Sequence, residues 1–271
     1  MKPTKTLSVF ITALFFCTIL SFAQENPAPQ YITATTMHWN MDKENFSMSD
    51  WKAAEKMYMD KVIKKNPYIT AASFYMHRYT ASNTELVYVQ AYNSWADIEN
   101  AQKKNEELIN EAWPDEAERN RFFKDKDSYY KAYHSDEIYA TLPGAKLLTE
   151  SPTEDMILYV RKSHLAFPDD GSNEEFMKYH MMWVENVIAK NEKIKAYYPH
   201  VHAWGSDKRE FVEAYLISSM EDLENMNQRN NELTEAAWSE EELKDMDSKA
   251  GKYFTGKHGD YIYTFIHDLS K

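Results

Sequence analysis

The chain contains one sequence module twice, and this duplication limits the folds open to it more than any other feature. When the sequence is shifted by 125 positions, residues 62–113 align with residues 187–238 without a gap, and 18 of the 52 positions are identical. A second match, 124 positions apart, aligns residues 134–139 with residues 258–263. The identical pairs include Asn66/Asn191, His77/His202, Glu85/Glu210, Trp113/Trp238 and Tyr139/Tyr263. We therefore predict two similar modules, at residues 31–145 and 155–271, joined by a linker rich in Pro and Gly.

Hydrophobic periodicity predicts the same order of elements in both modules. Each begins with a strand, at 32–39 and 156–164, and continues with an amphipathic helix. Two strands joined by a turn follow, at 69–80 and 85–92 in the first module and at 194–204 and 210–217 in the second. A second helix ends at Trp113 or Trp238, an irregular helical segment comes next, and a last strand spans 137–142 or 261–267. The order is β-α-β-β-α-β, the ferredoxin-like arrangement.

A four-stranded sheet with helices on one face leaves its other face in need of a partner, and the second module supplies one. We therefore expect an α+β fold in which two tandem ferredoxin-like modules form an internal pseudo-dimer barrel without a second chain. In element order and duplication the sequence resembles the dimeric α+β barrel superfamily, which includes monooxygenase-like, stress-responsive and haem proteins. The resemblance implies a small-molecule pocket and oxidative or isomerising chemistry on an aromatic or polyketide-like compound. No catalytic motif of that superfamily matches residue by residue.

The first 23 residues have the pattern of a cleaved signal peptide. Lys2 and Lys5 precede an apolar run over residues 7–22, and Ser21 and Ala23 supply the small residues of a cleavage site. The run is shorter than the ~20 residues of a membrane-spanning helix. We therefore expect a periplasmic or extracellular protein with no integral membrane segment after processing, and a leader at 24–30. Cleavage would also remove Cys17, the single cysteine, and with it any disulfide or cysteine-based metal site.

The net charge of −12 argues against two classes of partner. Nucleic acid and anionic membrane surfaces are both repelled by such a chain at long range, and no basic cluster offsets the charge. The sequence also lacks a Gly-rich phosphate loop and a Gly-x-Ser-x-Gly motif. The remaining expectation is a small-molecule ligand.

Alternation along the paired strands predicts an aromatic and polar sheet face that points into the barrel. We assume tight turns at Ser82–Asn83 and near Ser206–Asp207, which set the register of the two hairpins. Aromatic walls with a few polar groups are typical of ligand pockets. The predicted pocket-lining residues are Tyr75, Tyr79, Tyr88, Tyr198, His200, Trp204 and Tyr215.

His77, His202 and Glu213 are the predicted catalytic residues. On the assumed register His202 lies opposite Glu213, and a carboxylate would orient the imidazole and raise its pKa, as in a general base. The alternative is a purely structural His–Glu pair, favoured by the fact that His77 faces Tyr88 instead of an acid. Histidines shared by both copies also fit a common packing role.

The sequence does not decide between a metal, haem and no cofactor. His200, His202 and Glu213 form an acceptable ligand set for a divalent metal, and His77 or His202 is a candidate axial ligand for haem; the preferred interpretation has no cofactor. Three hypotheses follow: an enzyme with a pocket on the inner sheet face, a non-enzymatic protein that sequesters a ligand, sometimes in response to stress, and a structural duplicate with a filled core.

Overall fold

The computed structural model describes residues 28–271, so the predicted signal peptide and most of the predicted leader lie outside the described residues. The strands are β1 Tyr31–His38, β2 Ala71–Tyr79, β3 Glu85–Tyr92, β4 Ser135–Thr141, β5 Met156–Leu165, β6 Ala196–Trp204, β7 Glu210–Ile217 and β8 Phe254–Ser270. The helices are α1 Met48–Lys61, α2 Trp95–Ala112, α3 Glu116–Asp127, α4 Asn173–Trp183, α5 Met220–Ala237 and α6 Glu240–Gly251. A 3-10 turn, Ile63–Lys65, follows α1, and a π-helical turn, Val184–Ile188, continues α4. In the described part of the chain, no helix has the length and apolar character needed to cross a membrane.

All eight strands form one closed antiparallel barrel in the order β1-β3-β2-β8-β5-β7-β6-β4. Within it, the strands of each module are neighbours, in the order β4-β1-β3-β2 or β8-β5-β7-β6. The modules join where β2 pairs with β8, the first seam, and where β4 pairs with β6, the second seam. The predicted α+β pseudo-dimer barrel is confirmed, and the module boundaries at 31–145 and 155–271 stay a prediction.

The core has three parts. One apolar cluster, built around Trp51 and Leu86, lies between the sheet and the helices of the first module. A second, around Ile188 and Tyr197, occupies the same layer in the second module. The third lies inside the barrel and includes Tyr139, Val160 and residues from both modules. The helices therefore cover the outside of the barrel, and both inner sheet faces meet in a shared interior.

The duplicated asparagines anchor the second helix of each module. Asn66 is fully buried, and its side-chain amide donates to the carbonyl of Ala101 and to Oδ1 of Asn105, both at 2.8 Å. Asn191 makes the same pair of bonds, to the carbonyl of Met226 at 3.0 Å and to Asn230 at 2.8 Å. A buried amide needs such partners, which explains why both copies retain it.

The predicted register of the two hairpins is wrong by three residues. Tyr75 pairs with Val87, where a tight turn would have placed Gln90. The connection between β2 and β3 is a wider loop at residues 80–84, in which the hydroxyls of Thr80, Ser82 and Thr84 bond one another or the backbone. A shift by an odd number of residues exchanges the two faces of a strand. The side chains of β2 and β6 therefore point as predicted, whereas β3 and β7 point their aliphatic side chains into the barrel.

Candidate ligand cavity in the barrel

The barrel encloses a cavity of about 800 Å³. Strands of both modules contribute its walls, and residues 145 and 147–152 of the linker lie against it. A volume of this size lies within the range of small-molecule sites. The wall includes the side chains of Ala34, Thr36, Tyr75, Glu137, Tyr139, Thr141, Lys162, Tyr198, His200, Ala214, Tyr263 and Phe265.

The linker is held to the second module by its first half. Lys146 and Tyr197 exchange backbone hydrogen bonds, each at 2.9 Å. The Nε2 of His180 bonds the carbonyl oxygen of Pro143 at 2.9 Å, and burial lowers the pKa of His180. These bonds place the following linker residues against the cavity.

His200 lines the cavity and has a buried polar atom without a partner in the described structure. Its side chain is 5% exposed, and among the described residues its Nδ1 has no hydrogen-bond partner. Thr141 lies directly opposite on the neighbouring strand, and its buried Oγ1 also lacks a partner within that range. Burial lowers the pKa of His200 to about 3, so the imidazole is neutral near pH 7.

A tyrosine, a glutamate and a lysine meet at one end of the same wall. The Tyr139 hydroxyl donates to Oε2 of Glu210 at 2.5 Å. The Nζ of Lys162 donates to the Tyr139 hydroxyl at 3.3 Å and lies 3.6 Å from Oε1 of Glu210. Burial, followed by the bond to Glu210, holds the pKa of Tyr139 far above its ordinary value. This tyrosine is a permanent hydrogen-bond donor at neutral pH.

The first seam contains the matching bond without a lysine. The hydroxyl of Tyr263 donates to Oε1 of Glu85 at 2.6 Å. Because Tyr139 belongs to the first module and Glu210 to the second, while Tyr263 and Glu85 have the reverse origin, each bond ties the two modules together. Thr36 is the position of β1 that corresponds to Lys162, since His38 pairs with Glu85 as His164 pairs with Glu210.

Three of the predicted pocket residues line the cavity: Tyr75, Tyr198 and His200. Burial raises the pKa of Tyr75 to about 12 and that of Tyr198 further. Their phenols are therefore neutral, like the imidazole beside them.

The other four predicted pocket residues do not line this cavity. Tyr79 and Trp204 are 65% and 68% exposed, because they stand at the strand ends next to the hairpin loops. Tyr88 and Tyr215 pack with the helix-side clusters, because the register shift reversed the faces of β3 and β7. The hydroxyl of Tyr88 is buried there and has no partner among the described residues.

The predicted pairing of His202 with Glu213 is wrong for the same reason. Pro199 lies opposite Glu213, whose Oε1 accepts hydrogen bonds from Tyr197 and Tyr215, both at 2.9 Å, on the helix side of the sheet. The candidate metal ligands His200, His202 and Glu213 are therefore not brought together. Across residues 28–271 no group of three or more His, Cys, Asp or Glu side chains could hold a metal ion.

The duplicated histidines occupy equivalent places at the two seams. His77 pairs with Tyr263, and His202 pairs with Tyr139. Nδ1 of His77 lies 2.9 Å from the hydroxyl of Thr80, at an open groove separate from the main cavity. His202 has a buried Nε2 that is unpaired within the described residues. Catalytic roles for these two histidines stay predictions.

Sequence reasoning missed Tyr139, Thr141 and Lys162. A signal for one of them was present, because Tyr139 and Tyr263 are identical in the two copies, as are Glu85 and Glu210. The bonds between them cross from module to module, so no pattern within one module reveals them.

The closed barrel defines the class of protein: a tandem form of the dimeric α+β barrel fold. No protein-family model matches the chain, and no curated protein matches it. Among solved structures, a candidate monooxygenase from Fusobacterium nucleatum is similar, with a TM-score of 0.53 and 11% identity over 89% of this chain and 93% of that one. A candidate monooxygenase from Lactobacillus acidophilus has a TM-score of 0.51 and 7% identity over 89% and 95%. A mutant chlorite dismutase from Candidatus Nitrospira defluvii has a TM-score of 0.53 and 10% identity over 90% and 94%.

Proposed function

We propose that this chain binds one uncharged, largely apolar small molecule inside the barrel. The observation that carries the proposal is the cavity of about 800 Å³, whose wall combines tyrosine rings and aliphatic side chains with His200 and Thr141. Each of these two residues has a buried polar atom without a partner among the described residues. Apolar walls with a few polar groups are typical of ligand sites.

The charges around the cavity favour an uncharged ligand. Lys162 is paired with Glu210, and Glu137 accepts bonds from the backbone and hydroxyl of Ser206 at 3.2 and 3.1 Å. His200 is neutral near pH 7. Beside these groups a charged ligand group would therefore be buried without a free counter-ion, which costs several kcal/mol. Of the other charged wall residues, Lys271 donates its ammonium to the carbonyls of Ile63 and Asn66, and Glu150 is exposed.

Binding without turnover agrees best with these groups. A general base works well when its pKa lies near the operating pH, whereas His200, at about 3, is a weak base, and burial makes the phenol of Tyr75 a poor acid. This favours a protein that sequesters its ligand. Cofactor-free oxidation or isomerisation is the second candidate, supported by the unpaired, buried Nε2 of His202 on the inner face and by the fold shared with the two candidate monooxygenases.

The residues do not fit haem. An axial histidine ordinarily donates its second ring N–H to a carboxylate or carbonyl, and Nδ1 of His200 has no such acceptor in the described structure. The Lys162 ammonium, which would pair with a propionate, is already held by Glu210. His77 and His202, the predicted axial ligands, do not line the cavity.

Titration of the purified protein with the uncharged fluorophore N-phenyl-1-naphthylamine tests the proposal. We expect a saturable rise in emission with one site per chain. Ala214→Trp, which fills the cavity, should abolish it, and Ala236→Trp, on the exposed side of α5, should not. Ala34→Phe is a second cavity-filling variant if Ala214→Trp does not fold. Absence of binding, or equal binding by folded cavity-filling variants, would refute the proposal.

A further inference from the structure

The two seams place equivalent residue pairs against the cavity. At the first seam Tyr75 lies opposite Phe265, and at the second seam His200 lies opposite Thr141. Tyr75 and His200 are equivalent by the 125-residue shift, and Phe265 and Thr141 by the 124-residue shift. The duplicated barrel therefore has one position where an aromatic pair in one half is replaced by a polar pair in the other.

A neighbouring pair of positions is unchanged between the seams. The next inward-facing pairs, His77 with Tyr263 and His202 with Tyr139, have the same residue types at both seams. A general loss of sequence similarity would have changed both pairs.

The two aromatic side chains pack against each other without a ligand. The ring centroids of Tyr75 and Phe265 are 5.8 Å apart, and Phe265 is 4% exposed. The Tyr75 hydroxyl is not one of the buried polar atoms that lack a partner in the described residues. The polar pair differs, because Nδ1 of His200 and Oγ1 of Thr141 are both buried and unpaired among residues 28–271. A buried polar atom without a partner costs about 1–3 kcal/mol.

We infer that the His200–Thr141 pair orients the ligand by bonding its hydroxyl or carbonyl group, while the aromatic part of the ligand packs on Tyr75 and Phe265. This inference rests on the proposed function and narrows it to uncharged phenols, aromatic alcohols and aromatic ketones. A hydroxyl both donates and accepts, which suits a neutral imidazole and a threonine hydroxyl side by side. Since the barrel has one polar and one aromatic pair, it accepts one ligand in one orientation.

Competition against bound N-phenyl-1-naphthylamine tests this inference with two ligands of similar size, 2-naphthol and 2-methylnaphthalene. The measured quantity is the ratio of their dissociation constants. A site built to bond a hydroxyl discriminates strongly against an analogue that lacks it. We expect His200→Phe to change the ratio at least tenfold in favour of 2-methylnaphthalene relative to wild type. The matched control is Tyr75→Phe, at the equivalent position, which should change it less than threefold.

Thr141→Val provides a second, smaller substitution in the polar pair and should change the ratio in the same direction. If the ratio in folded His200→Phe and Thr141→Val equals that of wild type while the fluorophore still binds, the inference fails and the proposed function stands. If the fluorophore does not bind wild type, the proposed function itself fails.

Discussion

The two seams of the barrel show which parts of a duplicated module must stay the same and which are free to differ. Each seam has a tyrosine that donates to a glutamate of the other module, Tyr139 to Glu210 and Tyr263 to Glu85. These bonds join the halves, and loss of either would leave a buried hydroxyl unpaired. The neighbouring positions, which face the cavity and hold nothing together, have diverged to Tyr75 with Phe265 at one seam and His200 with Thr141 at the other.

The seams also differ in charge. Lys162 approaches the tyrosine–glutamate pair of the second seam, and Thr36 stands at the corresponding position of the first. The polar groups of the cavity are therefore concentrated on one side. A barrel made from two copies of one chain could not have this asymmetry, because both seams would then be identical, and gene duplication removes that restriction.

The largest expected difference between the seams lies in the pH dependence of stability. The pKa of His200 is about 3 in the folded chain, against an ordinary value of 6.5. Between these pH values the unfolded chain binds the additional proton, so stability falls as the pH is lowered through this window. From pH 7 to pH 4, wild type should lose about 3 kcal/mol more of its free energy of unfolding than His200→Phe. Urea unfolding at both pH values measures this.

Tyr75→Phe, at the equivalent position of the first seam, is the control and should keep the pH dependence of wild type. Parallel stability curves for wild type and His200→Phe would show that the imidazole is hydrated, not buried.

The second expected difference concerns the bonds that join the modules. Glu210→Ala removes the partner of both Tyr139 and Lys162 and should cost about 3 kcal/mol, since a charged group and a hydroxyl both lose their bonds. Glu85→Ala leaves only the Tyr263 hydroxyl unpaired and should cost about 1–2 kcal/mol. Urea unfolding at pH 7 compares the two variants. If Glu85→Ala were the more damaging, the assignment of Lys162 to the second-seam bond would be wrong.

The smallest expected difference concerns the stability of the ligand-free protein. His200→Phe removes a buried polar atom that has no partner among the described residues and should stabilise the ligand-free protein by about 1 kcal/mol at pH 7.5. Tyr75→Phe removes a hydroxyl that is not such an atom, so it should not stabilise the protein. Thermal unfolding of both variants measures the pair of effects. Destabilisation by His200→Phe would mean that its imidazole already has a partner in the empty barrel.

The fold could be predicted from the sequence because duplication and periodicity are repeated signals. Each predicted element occurs in both copies, and an unpartnered sheet face has an obvious partner in the other copy. The prediction of which side chains point into the barrel depended on one hairpin loop in each module. At residues 80–84 the hydroxyls of Thr80, Ser82 and Thr84 support a wider connection than a two-residue turn.

The wrong hairpin register reversed the predicted direction of the side chains on β3 and β7. As a result Glu213, Tyr88 and Tyr215 lie on the helix side of the sheet and not in the site. His200 was not affected, because the facing of β6 was right. Lys162 and Thr141 could not be predicted, since neither repeats in the other copy and each meets its partners only after the barrel closes.

The most direct test of a ligand site at the polar seam is NMR of the imidazole nitrogens in protein labelled with ¹⁵N-histidine, titrated with 2-naphthol. The chain has nine histidines, and the His200→Phe variant assigns the relevant pair of signals. We predict that the nitrogens of His200 shift most and saturate at one ligand per chain, while those of His258, which is exposed and does not line the cavity, stay in place. Saturation at two ligands per chain, or the largest shift at His180 on α4, would contradict the account.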